Sequence, residues 1–131
     1  MELRQFNEQE AKNELGRAIG VLTGIEIKIK ENVHAHGQAA DKRFEEMNSA
    51  HGPESIMAWD SYILRLEQES ERLAEEAARA EQLVEEKRSL YIEANRELKV
   101  MEKLKEKREA EYRKESLAAE TRQLDDLPKK S

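Results

Sequence analysis

The chain has 131 residues, of which 40% are charged and 37% are hydrophobic, and its net charge is −6. Globular domains carry about 25% charged residues, so this composition argues against a compact multilayer core and favours a long helical coiled coil. The chain contains no cysteine and no apolar run long enough to span a bilayer, and its N-terminus lacks the pattern of a signal peptide. We therefore expect a soluble cytoplasmic protein with a single structural unit.

The first predicted helix covers residues from about 3 to 47. Its apolar residues recur at spacings of three and four, which is typical of a helix that packs one side against a partner. We use the word seam for the positions that face this partner. The expected seam positions of helix 1 are Leu3, Phe6, Ala11, Leu15, Ile19, Leu22, Ile29, Val33, His36, Ala40, Phe44 and Met47.

Three glycines, Gly16, Gly20 and Gly24, lie four residues apart within this helix. A glycine inside a helix costs about 1 kcal/mol relative to alanine. Close backbone packing against an alanine cluster of the second helix would offset that cost, and this is the expected arrangement. The alternative is a smooth groove that binds another protein. The alanine cluster consists of Ala74, Ala77, Ala78 and Ala80.

A turn is predicted from about residue 48 to residue 54, where the chain has its only adjacent glycine and proline, Gly52 and Pro53. Glycine suits the end of a helix, and proline suits the first turn of the next one. His51 is expected within this turn. A loop this short makes the two helices antiparallel neighbours. The predicted fold is therefore all-α, an antiparallel two-helix coiled-coil hairpin with a longer second helix.

The second predicted helix covers residues from about 55 to 125 and carries the most regular pattern of the chain. Apolar residues recur every 3.5 residues over more than six heptads, which is the pattern of a coiled coil. The expected seam positions are Ile56, Trp59, Ile63, Leu66, Ser70, Leu73, Ala77, Ala80, Val84, Lys87, Tyr91, Ala94, Leu98 and Met101.

The position of the turn predicts which residues of the two helices face each other. With the turn centred near residue 51, residue i faces roughly residue 102 − i. Because helix 1 begins near Leu3, residues from about 100 to 125 have no partner in this chain.

Charge changes sign along the second helix: residues 66–86 hold eight acids and two arginines, whereas residues 99–114 hold seven bases and four acids. The unpartnered segment is therefore a candidate basic arm for a protein partner, while the interleaved acids argue against nucleic acid.

Aromatic residues cluster at the start of helix 2. Trp59 lies on the seam and is expected to close the hairpin core against Phe44 and Met47. Met57 and Tyr62 lie off the seam, which makes an exposed partner-binding patch the alternative for this region.

Nothing in the sequence supports catalysis, a metal site or a cofactor. His34 and His36 are two residues apart and cannot share a helical face, and His36 is expected on the seam. The glycines of helix 1 lack the lysine and hydroxyl residue of a phosphate-binding loop. A pair of helices also offers no concave pocket in which a catalytic pKa could be shifted.

Several segments resemble the FliJ family, the soluble coiled-coil component of the bacterial flagellar type III export apparatus. The resemblance is carried by ELKVMEKLKEKR (97–108), EYRKE (111–115), QLDDL (123–127) and EAKNELG (10–16), and the two-helix layout extends it over the whole chain. The family usually opens with a further basic and aromatic segment. The chain is therefore expected either to begin inside helix 1 or to have a shorter first helix.

The resemblance implies a non-catalytic stalk or adaptor that promotes assembly and activity of the export ATPase ring and links it to the cytoplasmic domain of the export gate. It also implies contacts with export chaperones and a place at the inner-membrane face of the flagellar base, reached through partners without insertion. Mapped onto this sequence, the gate-facing patch is Met57, Tyr62 and Leu66. The ATPase-facing tip carries Lys103, Lys105, Lys107, Arg108, Arg113 and Lys114.

Two other functions are compatible with the same pattern. A chaperone, or an escort for export chaperones, would bind filament or hook subunits through a free apolar edge and have little effect on ATP hydrolysis. A purely structural coiled coil would dimerise through exposed stripe residues and need no third partner.

Overall fold

The computed structural model describes residues 1–49 and 52–127 and contains two helices, α1 (Glu2–Met47) and α2 (Pro53–Asp125). No strand occurs among the described residues. The two helices contact each other as a hairpin, and α2 is the longer. The predicted all-α hairpin with a longer second helix is therefore confirmed.

Local hydrogen bonds end α1 and begin α2. The side-chain amide of Asn48 donates to the carbonyl oxygen of Phe44 at 3.2 Å, and the hydroxyl of Ser49 donates to that of Glu46 at 3.0 Å. These bonds satisfy carbonyl groups that the last turn of a helix leaves free. Pro53 occupies the first position of α2, where its missing N–H is not needed. Ala50 and His51 lie outside the described residues, so the placement of His51 in the turn stays a prediction.

The seam of α2 is the predicted one. The expected positions are buried or half-buried from Ile56 to Met101, except that Ser70 is exposed and its neighbour Glu69 is half-buried instead. Leu73 and Val84 are among the most buried side chains, at 2% and 5% exposure. The heptad pattern of this helix therefore predicts its packing correctly.

The seam of α1 differs from the predicted one. Its covered positions follow a regular 4–3 spacing and include many polar residues: Arg4, Glu8, Ala11, Leu15, Ala18, Leu22, Ile25, Ile29, Asn32, His36, Ala39, Arg43 and Glu46. The prediction was wrong for the exposed residues Leu3, Phe6, Ile19, Val33, Ala40, Phe44 and Met47. The physical reason is that α2 and the turn set the register, whereas the apolar residues of α1 are divided between the side that this register turns inward and the side that it leaves outside.

The predicted alignment of the two helices is confirmed by the polar side-chain contacts between them. Arg4 pairs with Glu97, and Lys87 donates to Glu14 at 2.8 Å. Farther along α1, His36 lies 3.4 Å from Glu67, and Arg43 donates to Asp60 at 2.5 Å. In each pair the α2 partner lies one residue from the position that the rule 102 − i gives.

The glycines of α1 do not pack against α2. A methyl group added at Gly16, Gly20 or Gly24 would meet no atom within 4 Å, and all three residues are exposed. Close backbone packing against the alanine cluster was therefore the wrong expectation. The three glycines lie on the outer side of α1.

Contacts divide the chain into two units, which are described separately. The central unit contains residues 12–89, and the terminal unit contains residues 1–11 and residues 90 onward. In the terminal unit, α1 and α2 meet at the half-buried residues Ala11, Tyr91 and Leu98. The central unit holds the five buried side chains of the described residues, namely Ala18, Ala39, Leu73, Ala80 and Val84.

Candidate partner-binding surfaces

The C-terminal overhang, residues 102–127, consists of the end of α2 and the two residues after it, and no other described segment covers it. Met101 is the last half-buried seam residue, and every residue from Glu102 to Leu117 is exposed. Leu104, Leu117 and Leu124 are exposed by 43%, 64% and 68%. The prediction that α2 extends beyond its partner helix is therefore confirmed for the described residues.

The six basic residues proposed as a charged tip are all exposed, but they surround the overhang instead of sharing one side. With 3.6 residues per turn, Lys103, Lys107 and Lys114 lie within about 40° of one another around the helix axis. Lys105 and Arg108 lie on the opposite side. The structure thus presents positive charge in several directions, as a helix surrounded by a partner would require.

Tyr112 adds an aromatic group to this basic region. Its side chain is 73% exposed and lies between Arg108 and Arg113 in a shallow depression that Glu109 completes. The Nε of Arg113 donates to the backbone carbonyl of Glu109 at 3.4 Å. Tyrosine and arginine are enriched among the residues that contribute most to protein interfaces.

A second candidate surface lies at the start of α2, within the central unit. Trp59 and Tyr62 pack edge to face with their ring centroids 6.0 Å apart, and the Arg65 guanidinium lies 5.7 Å from the Tyr62 ring centroid. Both rings border a shallow depression with Ala39 of α1. The tyrosine ring is therefore held in place by its neighbours while 36% of it stays exposed.

The structure separates the residues expected to form one gate-facing patch. Tyr62 and Leu66 are one helical turn apart, but Leu66 is half-buried in the seam. Met57 is 66% exposed and lies about 140° around the helix from Tyr62. The core contact expected for Trp59 was wrong, because Phe44 and Met47 are exposed by 66% and 54% and close no core with it.

Charged residues inside the seam were not anticipated from the α1 sequence. Lys87 of α2 was on the predicted seam, but its partner Glu14 was not, and neither were Arg4 and Arg43. These charged seam residues could have been found with the rule that residue i faces residue 102 − i. For each of them the rule gives a position of α2 that is one residue from an opposite charge.

Two carboxylates of the hairpin, Glu14 and Glu69, have perturbed acidity. The hydrogen bond from Lys87, helped by the lysine's charge, holds the pKa of Glu14 below its ordinary value. The hydrogen bond from Arg72 does the same to the pKa of Glu69, and Arg72 also pairs with Glu76. These shifts identify paired charges at the partly exposed edge of the seam and point to no catalytic group.

No metal site and no membrane span is visible in the described residues. No group of three histidine or acidic side chains is arranged to hold an ion, and neither α1 nor α2 contains an apolar stretch that could cross a bilayer.

Comparison with known proteins gives one result. No curated protein and no solved structure matches the chain. The family model described as "Flagellar FliJ protein" matches residues 1–129, nearly the whole sequence. The chain therefore belongs to the FliJ family of non-enzymatic coiled-coil proteins associated with flagellar export.

Proposed function

We propose that the chain is a stalk or adaptor of the flagellar export apparatus, which promotes assembly and activity of the export ATPase ring and links it to the export gate. The observation that carries this proposal is the C-terminal overhang. It is a segment that no other described part of the chain covers, it carries bases in several directions, and it displays Tyr112 and four leucines to solvent. A cavity lined by acidic residues would complement such a helix.

The link to the gate is assigned to the surface around Tyr62, where an exposed aromatic ring is held by Trp59 and Arg65. In this proposal the protein works in the cytoplasm, at the inner-membrane face of the flagellar base, and reaches the membrane only through its partners. Export chaperones are further proposed partners, and nucleic acid is not one.

ATP hydrolysis by the cognate export ATPase, titrated with this chain, tests the first contact. We expect stimulation by the full chain and its loss when the chain is cut after Met101. Replacing Lys103, Lys107 and Lys114 together by glutamine should weaken the stimulation of ATP hydrolysis. The matched control neutralises the interleaved acids Glu102, Glu106 and Glu109, which should not weaken it.

An absence of stimulation by a helical, folded chain would contradict the ATPase contact. The exposed leucines of the overhang would then favour an export chaperone or escort, and binding of hook or filament subunits would be the measurement to make. If the acid and base variants weaken stimulation equally, the positive charge of the overhang is not what the ring recognises.

Binding of the gate's cytoplasmic domain tests the second contact. Tyr62→Ala should weaken binding measured by calorimetry, and Met57→Ala should not, because Met57 lies on a different side of α2. The reverse result would assign the gate contact to the side that carries Met57.

A further inference from the structure

An exposed apolar stripe runs along the last two heptads of α1. We call it the α1 stripe. Its five residues follow spacings of four and three, none is charged, and all are exposed: Val33, Gly37, Ala40, Phe44 and Met47. Its large members are exposed by 64% at Val33, 66% at Phe44 and 54% at Met47. This periodicity is that of a helix seam, yet no residue that the structure describes covers it.

The inward side of α1 over the same residues is more polar than the stripe. It contains Asn32, His36, Arg43 and Glu46, with Ala39 as the only buried apolar residue among the described ones there. The hairpin thus packs through its polar side and leaves its apolar side free in this region. A heptad stripe of this kind is normally covered by another helix.

Two residues of α2 extend the apolar surface on the same side of the hairpin. Met57 and Leu64 are 66% and 55% exposed, and they flank Asp60 at the neighbouring helical turns. Arg43 connects the two helices here, because its Nε donates to Asp60 at 2.5 Å while another of its nitrogens lies 3.3 Å from the Met47 sulfur. The combined surface lies within the central unit.

We propose that the α1 stripe binds the same stripe of a second copy of this chain, with the two stripes antiparallel. The order of side-chain sizes is self-complementary. An antiparallel arrangement centred near Ala40 places Val33 of each copy opposite Met47 of the other, and Phe44 of each copy within one residue of Gly37 of the other. Gly37 has open space where a side chain would stand, with no atom within 4 Å. In a symmetric interface this contact forms twice, because Phe44 of each copy occupies the space at Gly37 of the other.

The exposed area agrees with a weak dimer. If a large side chain has roughly 150–250 Å² in total, the exposed parts of Val33, Phe44 and Met47 in the stripe and of Met57 and Leu64 beside it add up to about 500 Å² per copy. The pair would bury about 1,000 Å², the lower limit for a specific interface. We therefore expect a reversible dimer with a dissociation constant in the micromolar range.

A second copy fits this stripe better than a charged partner helix does. The stripe itself has no charge that would select a partner, and the nearby Arg43 and Asp60 already neutralise each other. The order of side-chain sizes, by contrast, brings the large Phe44 of one copy next to the small Gly37 of the other when the two stripes run antiparallel. The inference goes beyond the proposed function, because it uses neither the C-terminal overhang nor Tyr62.

Sedimentation velocity over a hundredfold range of concentration around the micromolar region tests the proposal. The full chain should change from monomer to dimer. Gly37→Leu should weaken dimerisation by about tenfold or more, because the leucine occupies the space that Phe44 of the partner needs. Gly24→Leu is the matched control, since Gly24 also has open space but lies outside the stripe. Circular dichroism at low concentration should show that both variants keep their helices.

A size exchange across the interface gives a second, independent readout. Phe44→Ala alone should weaken the dimer. Combining it with Gly37→Leu should restore part of the affinity, because the leucine introduced at position 37 of one copy then faces the smaller side chain at position 44 of the other. Two changes that each weaken the dimer and together weaken it less are a sign of direct contact.

Three results would overturn the proposal. The chain could stay monomeric at every concentration, which would leave the stripe to a helix of a different protein. It could form a dimer that Gly37→Leu and Gly24→Leu affect equally, which would place the contact on another side. The double variant could also show no recovery, which would mean that Phe44 and Gly37 do not meet.

Discussion

Leu73 is the only large side chain that the described residues bury almost completely, at 2% exposure. Removing three carbons from such a position loses apolar burial and leaves a cavity. We expect Leu73→Ala to lower the free energy of unfolding by about 2–4 kcal/mol. Leu83 lies ten residues along the same helix and is 41% exposed, so Leu83→Ala should cost much less. Urea titration followed by circular dichroism measures both, and equal losses would contradict the seam described here.

The pair formed by Glu14 and Lys87 predicts a loss of stability in acid. Lys87 holds the pKa of Glu14 below its ordinary value of 4.5. Because the folded pKa lies below the unfolded one, the stabilisation is fully present above about pH 4.5 and disappears as the pH falls through the folded value. Melting temperatures between about pH 7 and pH 3 should therefore show wild type and Glu14→Gln converging on acidification. A difference that does not change with pH would mean that the carboxylate is not paired in solution.

The two helices differ in how far their sequences predict their packing. In α2 one stripe is clearly the most apolar, and burying it determines the register. In α1 apolar residues are divided between an inner side with Leu15, Leu22 and Ile29 and an outer side with Val33 and Phe44. A search for the most apolar stripe therefore crosses from one side to the other. Only the partner helix decides which side turns inward.

Because the glycines of α1 lie in open space, replacing one should stabilise the helix. Gly20→Ala adds a methyl group that meets no atom within 4 Å and removes the flexibility of glycine from the unfolded chain. We expect the free energy of unfolding to rise by about 0.5–1 kcal/mol. Thermal unfolding at low protein concentration measures the effect. A decrease would show that Gly20 packs against something in solution.

The C-terminal overhang should add to the helical content of the chain but little to its stability. Its residues are exposed from Glu102 to Leu117, and an isolated helix of this length is marginal in water. Amide hydrogens after Met101 should exchange much faster than those between Leu73 and Leu98. Cutting the chain after Met101 should remove helical signal and leave the melting temperature within a few degrees of that of the full chain. A large drop would mean that the overhang is covered by a second copy.

At the scale of the molecule, the sequence predicts the fold and the uncovered segment but not the sites in detail. The heptads of α2, the Gly52–Pro53 turn and the unequal helix lengths are enough to give the hairpin, its register and the overhang. The expected patch of Met57, Tyr62 and Leu66 joined residues that were close in sequence, whereas the helix directs Met57 and Tyr62 to different sides. The α1 stripe was visible in the sequence, but only the register shows that it is left free.

Because the seam buries few residues, we expect the monomeric chain to have low stability. Only five described residues are buried, and three of them are alanines, so the apolar surface removed from water is small for 131 residues. We expect a free energy of unfolding of about 5 kcal/mol or less, at the low end for folded proteins. The urea m-value should also be low, since it follows the surface exposed on unfolding. Urea titration at concentrations below the dimer range tests both values. If the free energy of unfolding and the m-value are high and stay high on dilution, the monomer buries more surface than these two helices show. If both values fall on dilution, the extra burial comes from self-association.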